Sequence, residues 1–250
     1  MDRISLLNIQ LNNLTIQELL ENMDQGMVVT PNIDHMIKLQ KDEDFYNIYQ
    51  QADYVLLDSR VIYYMLKLSG SPIKGVIPGS DLLPAFYQYH KNNPLISIFL
   101  LGAMDGIADK AREIINRKVE REMIIGAYSP SYGFENNPEE CNKIVGMINQ
   151  SEANVLIIGV GAPKQEKWLY QYMPELHNIK LALALGASID FEAGFKKRSP
   201  KWIQKIGMEW FYRFLCEPRR LWKRYFIDDL PFIYLFIQQK LGRYQDPFSN

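Results

Sequence analysis

Six short apolar runs punctuate the first 185 residues of this chain: Met27–Val29, Tyr54–Leu57, Ile96–Leu101, Met123–Ala127, Val155–Val160 and Leu181–Leu185. They are nearly continuous in apolar residues, not alternating, which marks strands covered on both faces. The gaps between them carry helical spacing. Ile33, Met36, Ile37, Phe45, Ile48, Tyr49 and Ala52 predict a first helix, and Ala108–Val119, Glu139–Ile148 and Lys164–Tyr172 predict later ones. Gly70–Asp81, with three Gly and two Pro, predicts a long loop. Strand–helix–strand repetition of this kind predicts an α/β fold, a mostly parallel sheet flanked by helices.

Composition narrows the class. With 250 residues, 47% of them apolar, the chain can bury a large core and is not disordered. Cys141 and Cys216 are too few for a disulfide framework and are expected to be reduced thiols of a cytoplasmic protein. Met1 leads into a mixed polar stretch rather than a signal peptide, and no run of about 18 charge-free apolar residues exists to span a bilayer. The net charge of −1 conceals an asymmetry: residues 196–224 hold ten Lys and Arg against Glu209 and Glu217. Three of the four tryptophans, Trp202, Trp210 and Trp222, lie in the same stretch. This shift sets an expected boundary between a core, 1–195, and a basic, aromatic, helical C-terminal appendage, 196–250.

Ligands of open parallel sheets bind beyond the carboxyl ends of the strands. The residues there are Thr30-Pro31-Asn32, Asp58-Ser59-Arg60, Gly102-Ala103, the stretch from Tyr128 through Tyr132 to Phe134, Gly159 to Glu166, and Gly186 to Gly194. Asp58 directly follows an apolar run, so its carboxylate is expected at the crevice rim as a general base; a turn or cap explains a lone strand-end Asp as well. Gly159-Val160-Gly161 resembles part of a dinucleotide fingerprint, but Lys164 occupies the place of the third glycine, and a tight strand-to-helix turn accounts for it equally. No Walker loop is present. Asp42-Glu43-Asp44 has a metal-binding pattern, yet it falls inside the first expected helix and reads as a solvated face, as does Asp228-Asp229. His35, His90 and His177 lack ligand spacing, and His35 reads as a packing or capping residue. No metal and no cofactor are expected.

The basic stretch has two uses. Arg213, Arg220 and Arg224 fall within about 40° of one another on an ideal helix and could address one diphosphate, although Pro218 interrupts that helix. Basic residues interleaved with Trp and Phe also form interfacial anchors, and Tyr225–Leu241 carries Asp228, Asp229 and Lys240, which suits lying on a membrane better than crossing it. The acidic remainder of the chain argues against nucleic acid.

Several blocks together resemble one family. Thr30-Pro31-Asn32 with Asp34-His35, Ala52-Asp53 before Asp58, Gly79-Ser80-Asp81-Leu82, Leu100-Leu101-Gly102, Pro163-Lys164-Gln165-Glu166-Lys167-Trp168 and Asp190-Phe191-Glu192-Ala193-Gly194 are similar to the WecG/TagA/CpsF glycosyltransferases. Lys197-Arg198-Ser199-Pro200-Lys201-Trp202, Gly207-Met208-Glu209-Trp210 and Tyr212-Arg213 through Glu217-Pro218-Arg219-Arg220 complete the pattern. The resemblance implies a Rossmann-like core and an inverting, metal-independent transfer of a hexose-type sugar from a UDP-sugar donor to a polyprenyl-diphosphate-linked sugar acceptor. It implies a cytoplasmic protein, peripheral on the inner membrane face, that serves cell-surface polysaccharide synthesis. By it, Asp58 matches the base, with Thr30 and Asn32 in the same pocket. Gln165, Asp190, Gly102, Gly161 and Tyr132 are expected near the nucleotide sugar, and Arg213, Arg220 and Arg224 (or Lys223) at its phosphates.

Two positions depart from the family pattern. Asp58-Ser59-Arg60 stands where Asp-Gly is common, and Val76 where an arginine often stands, so Lys74, Arg60 or an appendage arginine is expected to substitute. These leave the sugar open, N-acetylmannosamine being the commonest in the family and glucose or another hexose an alternative. A homo-oligomer that hides the appendage and a monomer that uses it are both compatible with the resemblance. A catalytically idle binding subunit is the competing reading, supported only by Val76. A nucleotide-sugar epimerase or dehydrogenase lacks its signature here.

Overall fold

A computed structural model describes residues 2–249. The chain opens with an antiparallel hairpin, β1 (Arg3–Leu6) and β2 (Ile9–Asn12), followed by α1 (Ile16–Asn22). Then come β3 (Gly26–Val29), α2 (Ile33–Lys38), α3 (Glu43–Gln51), β4 (Tyr54–Val55), α4 (Arg60–Leu68) and α5 (Gly79–Tyr89). The second half of the core runs β5 (Ile98–Gly102), α6 (Ile107–Val119), β6 (Ile124–Tyr128), α7 (Pro138–Gln150), β7 (Val155–Gly159), α8 (Lys164–Tyr172), β8 (Leu181–Ala184) and α9 (Ser188–Glu192). After it follow α10 (Lys201–Lys205), α11 (Glu209–Cys216), α12 (Pro218–Lys223), a π-helical stretch Arg224–Asp228, and α13 (Pro231–Lys240).

β3 to β8 form one parallel sheet in the order β4-β3-β8-β7-β5-β6, the Rossmann-like α/β architecture expected. Each of the six apolar runs overlaps one of its strands. The period-2 pleat divides them between two cores. Met27, Val29, Leu156, Ile158, Ala182 and Ala184 face one side with Phe45, Ile48, Ile144 and Trp168. Val28, Leu100, Ile157 and Leu183 face the other with Leu82, Phe86 and Ile115. Burial of both faces is what the continuous apolar runs encode.

One element is unforeseen and two expectations are corrected. The hairpin is hidden in the polar opening stretch: Ile4, Leu6, Ile9 and Leu11 alternate inward and Asn12 is buried as well, while Arg3, Ser5 and Gln10 stay exposed. The first expected helix is two, because the Asp42 carboxylate accepts from Phe45 N–H (3.0 Å) and caps a new start at Glu43. The Gly70–Asp81 loop ends early, at α5, where Gly79 lets the backbone pass Leu185; a Cβ would lie 3.0 Å from that carbonyl oxygen.

The C-terminal residues are stitched back to the core. Phe232 and Phe236 join the same core as β3 and α3. Gln239 Oε1 accepts from Leu7 N–H (2.9 Å), Tyr244 donates to Gln40 (2.6 Å) and Tyr46 donates to Asp246 (3.2 Å). Cys141 and Cys216 are both free thiols, the first buried.

Candidate active site

A cavity of about 660 Å³ opens beyond the carboxyl ends of β3, β7 and β8, and residues 196–228 roof it. Its floor brings together Thr30, Asn32, Asp58, Gly161, Gln165 and Asp190, and its roof supplies Arg213, Arg220 and Arg224. Although Pro218 starts a new helix, the three guanidiniums still reach this cavity from α11, α12 and the π-helical turn. Gly102 and Tyr132 do not line it. Gly102 instead allows β5 and β7 to meet at their ends, since a Cβ there would lie 2.6 Å from Gly159 O. Tyr132 is 99% exposed, with Lys164 Nζ 4.7 Å from its ring centroid.

The core residues are held by strand-end and helix-start chemistry. Thr30 follows β3 and donates to Ala184 C=O (3.1 Å), tying the adjacent ends of β3 and β8. Asn32 caps α2, its Oδ1 accepting from His35 N–H and from Arg224 Nη2, both at 3.3 Å. Gln165 Oε1 accepts from Gly161 N–H (3.3 Å) and Gly186 N–H (3.2 Å). Asp190 pairs with Lys196 Nζ at 3.3 Å.

Asp58 is half-buried. Its backbone N–H donates to Pro31 C=O (3.1 Å), and its Oδ1 accepts from Gly79 N–H (3.2 Å) at the start of α5. The protein packed around it raises the carboxyl to about 6; the positive Arg213 opposes that rise, and the negative Glu209 and Asp81 add to it. A carboxylate poised there is ionised at neutral pH and still a competent proton acceptor.

The cationic side chains arrive already paired. Arg224 approaches Asp34 (3.5 Å) and Asp229 (3.8 Å), Arg213 approaches Glu209 (3.7 Å), Arg220 pairs with Glu217, and Lys38 with Asp34 (2.7 Å). Burial pushes Asp34 up, but Arg224 and Lys38 outweigh it and hold the carboxyl below its ordinary value. Asp229 corrects the expectation of a solvated face: it is buried, and desolvation, only partly offset by Arg224, raises it to about 6. Asp228 lines the cavity. Asp42 and Asp44 face Lys167 at 2.8 and 3.7 Å. His35 is buried and neutral, desolvation lowering it to about 3, and its Nδ1 meets Tyr49 Oη at 2.8 Å.

Of the substitutes named for the family arginine, Lys74 is engaged with Glu18 (2.7 Å) and Arg60 lines a second cavity. Arg213, Arg220 and Arg224, with Lys38, Lys196 and Lys197, are the Lys and Arg residues on the large cavity among the described residues. Those three lysines and Asp34 belong to the site without having been singled out. The available signals were position after the last strand for Lys196 and Lys197, and the i, i+4 spacing of Asp34 and Lys38 on α2 just after the Asn32 cap. The second cavity, about 380 Å³, is mostly apolar, with Ile33, Val61, Met65, Trp210, Leu230 and Ile233 on its wall. It shares Asn32, Asp58, Ser80, Arg213, Arg224 and Tyr225 with the first.

Comparison with known proteins identifies the family. The model of the glycosyl transferase WecG/TagA/CpsF family matches residues 4–246. Among similar proteins is the N-acetylglucosaminyldiphosphoundecaprenol N-acetyl-beta-D-mannosaminyltransferase of Staphylococcus aureus (strain MRSA252), 23% identical over 232 residues covering 89% of this chain and 86% of that protein. The protein of the same name from Bacillus subtilis (strain 168) is 26% identical over 199 residues, covering 80% and 74%. With the match spanning both the sheet and the helices that roof it, the chain belongs to the WecG/TagA/CpsF family of glycosyl transferases.

Proposed function

We propose that the protein transfers N-acetylmannosamine, or a closely related hexose, from a UDP-sugar to a polyprenyl-diphosphate-linked sugar of the N-acetylglucosaminyl type, with inversion and without a metal. The observation that carries this reading is Asp58 at the junction of a polar, cation-rich cavity and an apolar one. The nucleotide sugar occupies the larger cavity and the lipid-linked acceptor approaches from the smaller. Asp58 accepts the proton of the acceptor hydroxyl as its oxygen bonds to the anomeric carbon. The bond from that carbon to the diphosphate oxygen breaks on the opposite side, and the electron pair leaves with UDP. Arg213, Arg220 and Arg224 stabilise the charge that grows on the diphosphate.

Residues 196–250 serve as an appendage that docks on the inner face of the cell membrane. Support comes from the exposed apolar side chains of Trp202, Trp222, Ile227, Leu230, Ile233 and Tyr234, next to the basic run. Among the described residues no helix is long and apolar enough to cross a membrane. The test is UDP release from a panel of UDP-sugars, with and without a short-chain lipid-diphosphate-sugar acceptor, for wild type and Asp58→Asn. Acceptor-dependent release with one donor, lost in the variant, is expected. Release that is equal in the variant removes Asp58 as the base, and silence from a folded protein across the panel overturns the transferase reading.

A further inference from the structure

Glu166 has a puzzling environment. It is fully buried, and among the described residues no cation forms an ion pair with it and its Oε2 finds no hydrogen-bond partner. A carboxyl group kept under those conditions costs stability, so its presence calls for a reason beyond packing. Among the described residues its side-chain hydrogen-bond partner is Gln165, whose Nε2 donates to Glu166 Oε1 at 2.9 Å.

Gln165 is itself only 2% exposed, and its amide is used at both ends. Oε1 accepts from two backbone N–H groups on different loops, Gly161 after β7 and Gly186 after β8. Both glycines have positive φ, +87° and +53°, which aims their N–H groups off the strand direction and onto one oxygen. A primary amide is a one-way connector. Turned over, it would set its NH2 against two N–H donors and its oxygen against the Glu166 oxygen. Glu166 therefore fixes which way Gln165 faces, and Gln165 in turn fixes the separation of two loops that wall the large cavity.

We propose that Glu166 is a positioning residue for sugar transfer: acting through Gln165, it holds the loops around Gly161 and Gly186 at the spacing that receives the nucleotide sugar. The proposal rests on the donor site assigned above and deepens it. Gln165 acts here as a brace whose polar atoms are already occupied by the protein.

The experiment compares wild type, Glu166→Gln, Glu166→Met, Gln165→Glu and the double variant Gln165→Glu/Glu166→Gln. Donor KM and kcat are measured at saturating acceptor, UDP binding by calorimetry, and melting temperature alongside. Glu166→Met removes the acceptor at similar volume and is expected to raise donor KM and weaken UDP about tenfold while kcat moves by less than about threefold. Glu166→Gln retains an oxygen for Gln165 Nε2 and should remain within about threefold of wild type. Gln165→Glu sets two carboxyl groups face to face and should lose about tenfold or more. In the double variant the new amide donates to the new carboxylate, so it should bind UDP better than the two single effects multiplied together.

Equal donor KM and UDP affinity in Glu166→Met and wild type, or a double variant no better than the product of the singles, overturns the proposal. Should Glu166→Met fail to fold, the Gln165→Glu and double variants decide the question alone. A wild type that binds UDP but transfers no sugar refutes the transferase reading, while the UDP affinities still test the brace.

Discussion

Asp58→Asn should abolish transfer and make the protein more stable, by an amount that depends on pH. The folded protein raises this carboxyl from 3.8 to about 6. Between those values the folded state binds the proton more tightly than the unfolded chain, so the wild type loses stability as pH rises through that window. Two pKa units correspond to about 3 kcal/mol once both states are ionised. At about pH 4 the same linkage gives only about 0.5 kcal/mol. Asn keeps an oxygen for Gly79 N–H and carries no charge, so it escapes the penalty. Because the carboxylate also opens onto the cavity, about half the full figure is a sound expectation, roughly 3–6 °C in Tm for a domain of this size. Thermal melts of both proteins at about pH 8 and about pH 4, with UDP release assayed on the pH 8 samples, measure it. A Tm difference that is the same at both pH values, or a variant less stable than wild type at the higher one, refutes the reasoning that desolvation sets the proton affinity of Asp58.

Three further outcomes are expected. The wild-type kcat/KM should fall as pH drops through about 6, the protonation of Asp58, and a flat profile down to about pH 5 would separate the rate from this carboxyl. Arg224→Ala, which strips a cation from Asn32, Asp34 and Asp229, should lower kcat about 100-fold, with Arg224→Lys recovering only part because one ammonium cannot reproduce the fork; full recovery by Lys would show that charge alone matters. Replacing both Trp222 and Ile233 by Ser should weaken sedimentation with anionic phospholipid vesicles about tenfold or more, and unchanged sedimentation would move the membrane contact elsewhere.

The sheet is legible in the chain because burial on both faces leaves an unbroken apolar signature, as in Val155–Val160. The hairpin is not, because its outward side chains dilute the four inward ones. At the site, Asp58, Thr30 and Asn32 can be found from their places at strand ends, where backbone topology alone brings them together. The convergence of Arg213, Arg220 and Arg224 is visible as a helical angle, yet the chain achieves it with three separate segments. Asp229 looks like surface from its neighbours, because its burial comes from packing of the C-terminal helices near Arg224 and Asp34, which no local pattern carries. Gly102 is linked to substrate by resemblance, whereas its evident constraint is the carbonyl of Gly159. Glu166 escapes notice since an acidic residue beside Lys164 and Lys167 looks like helix surface.

The roof over the large cavity is a span fixed at both abutments. It leaves the core after α9, and it returns through Phe232, Phe236 and the hydrogen bonds to Leu7, Gln40 and Tyr46. Such a span can flex at its middle but cannot swing away like an arm on a single hinge. The arginines it carries therefore have a short tether on either side, which keeps their effective concentration over the floor high. It also means that cutting the chain at residue 195 does more than remove the proposed membrane contact: it opens the apolar face that Phe232 and Phe236 seal. The stretch proposed both to touch the membrane and to carry the site arginines is one piece of chain, and it cannot be deleted without disturbing the packing of the sheet beneath.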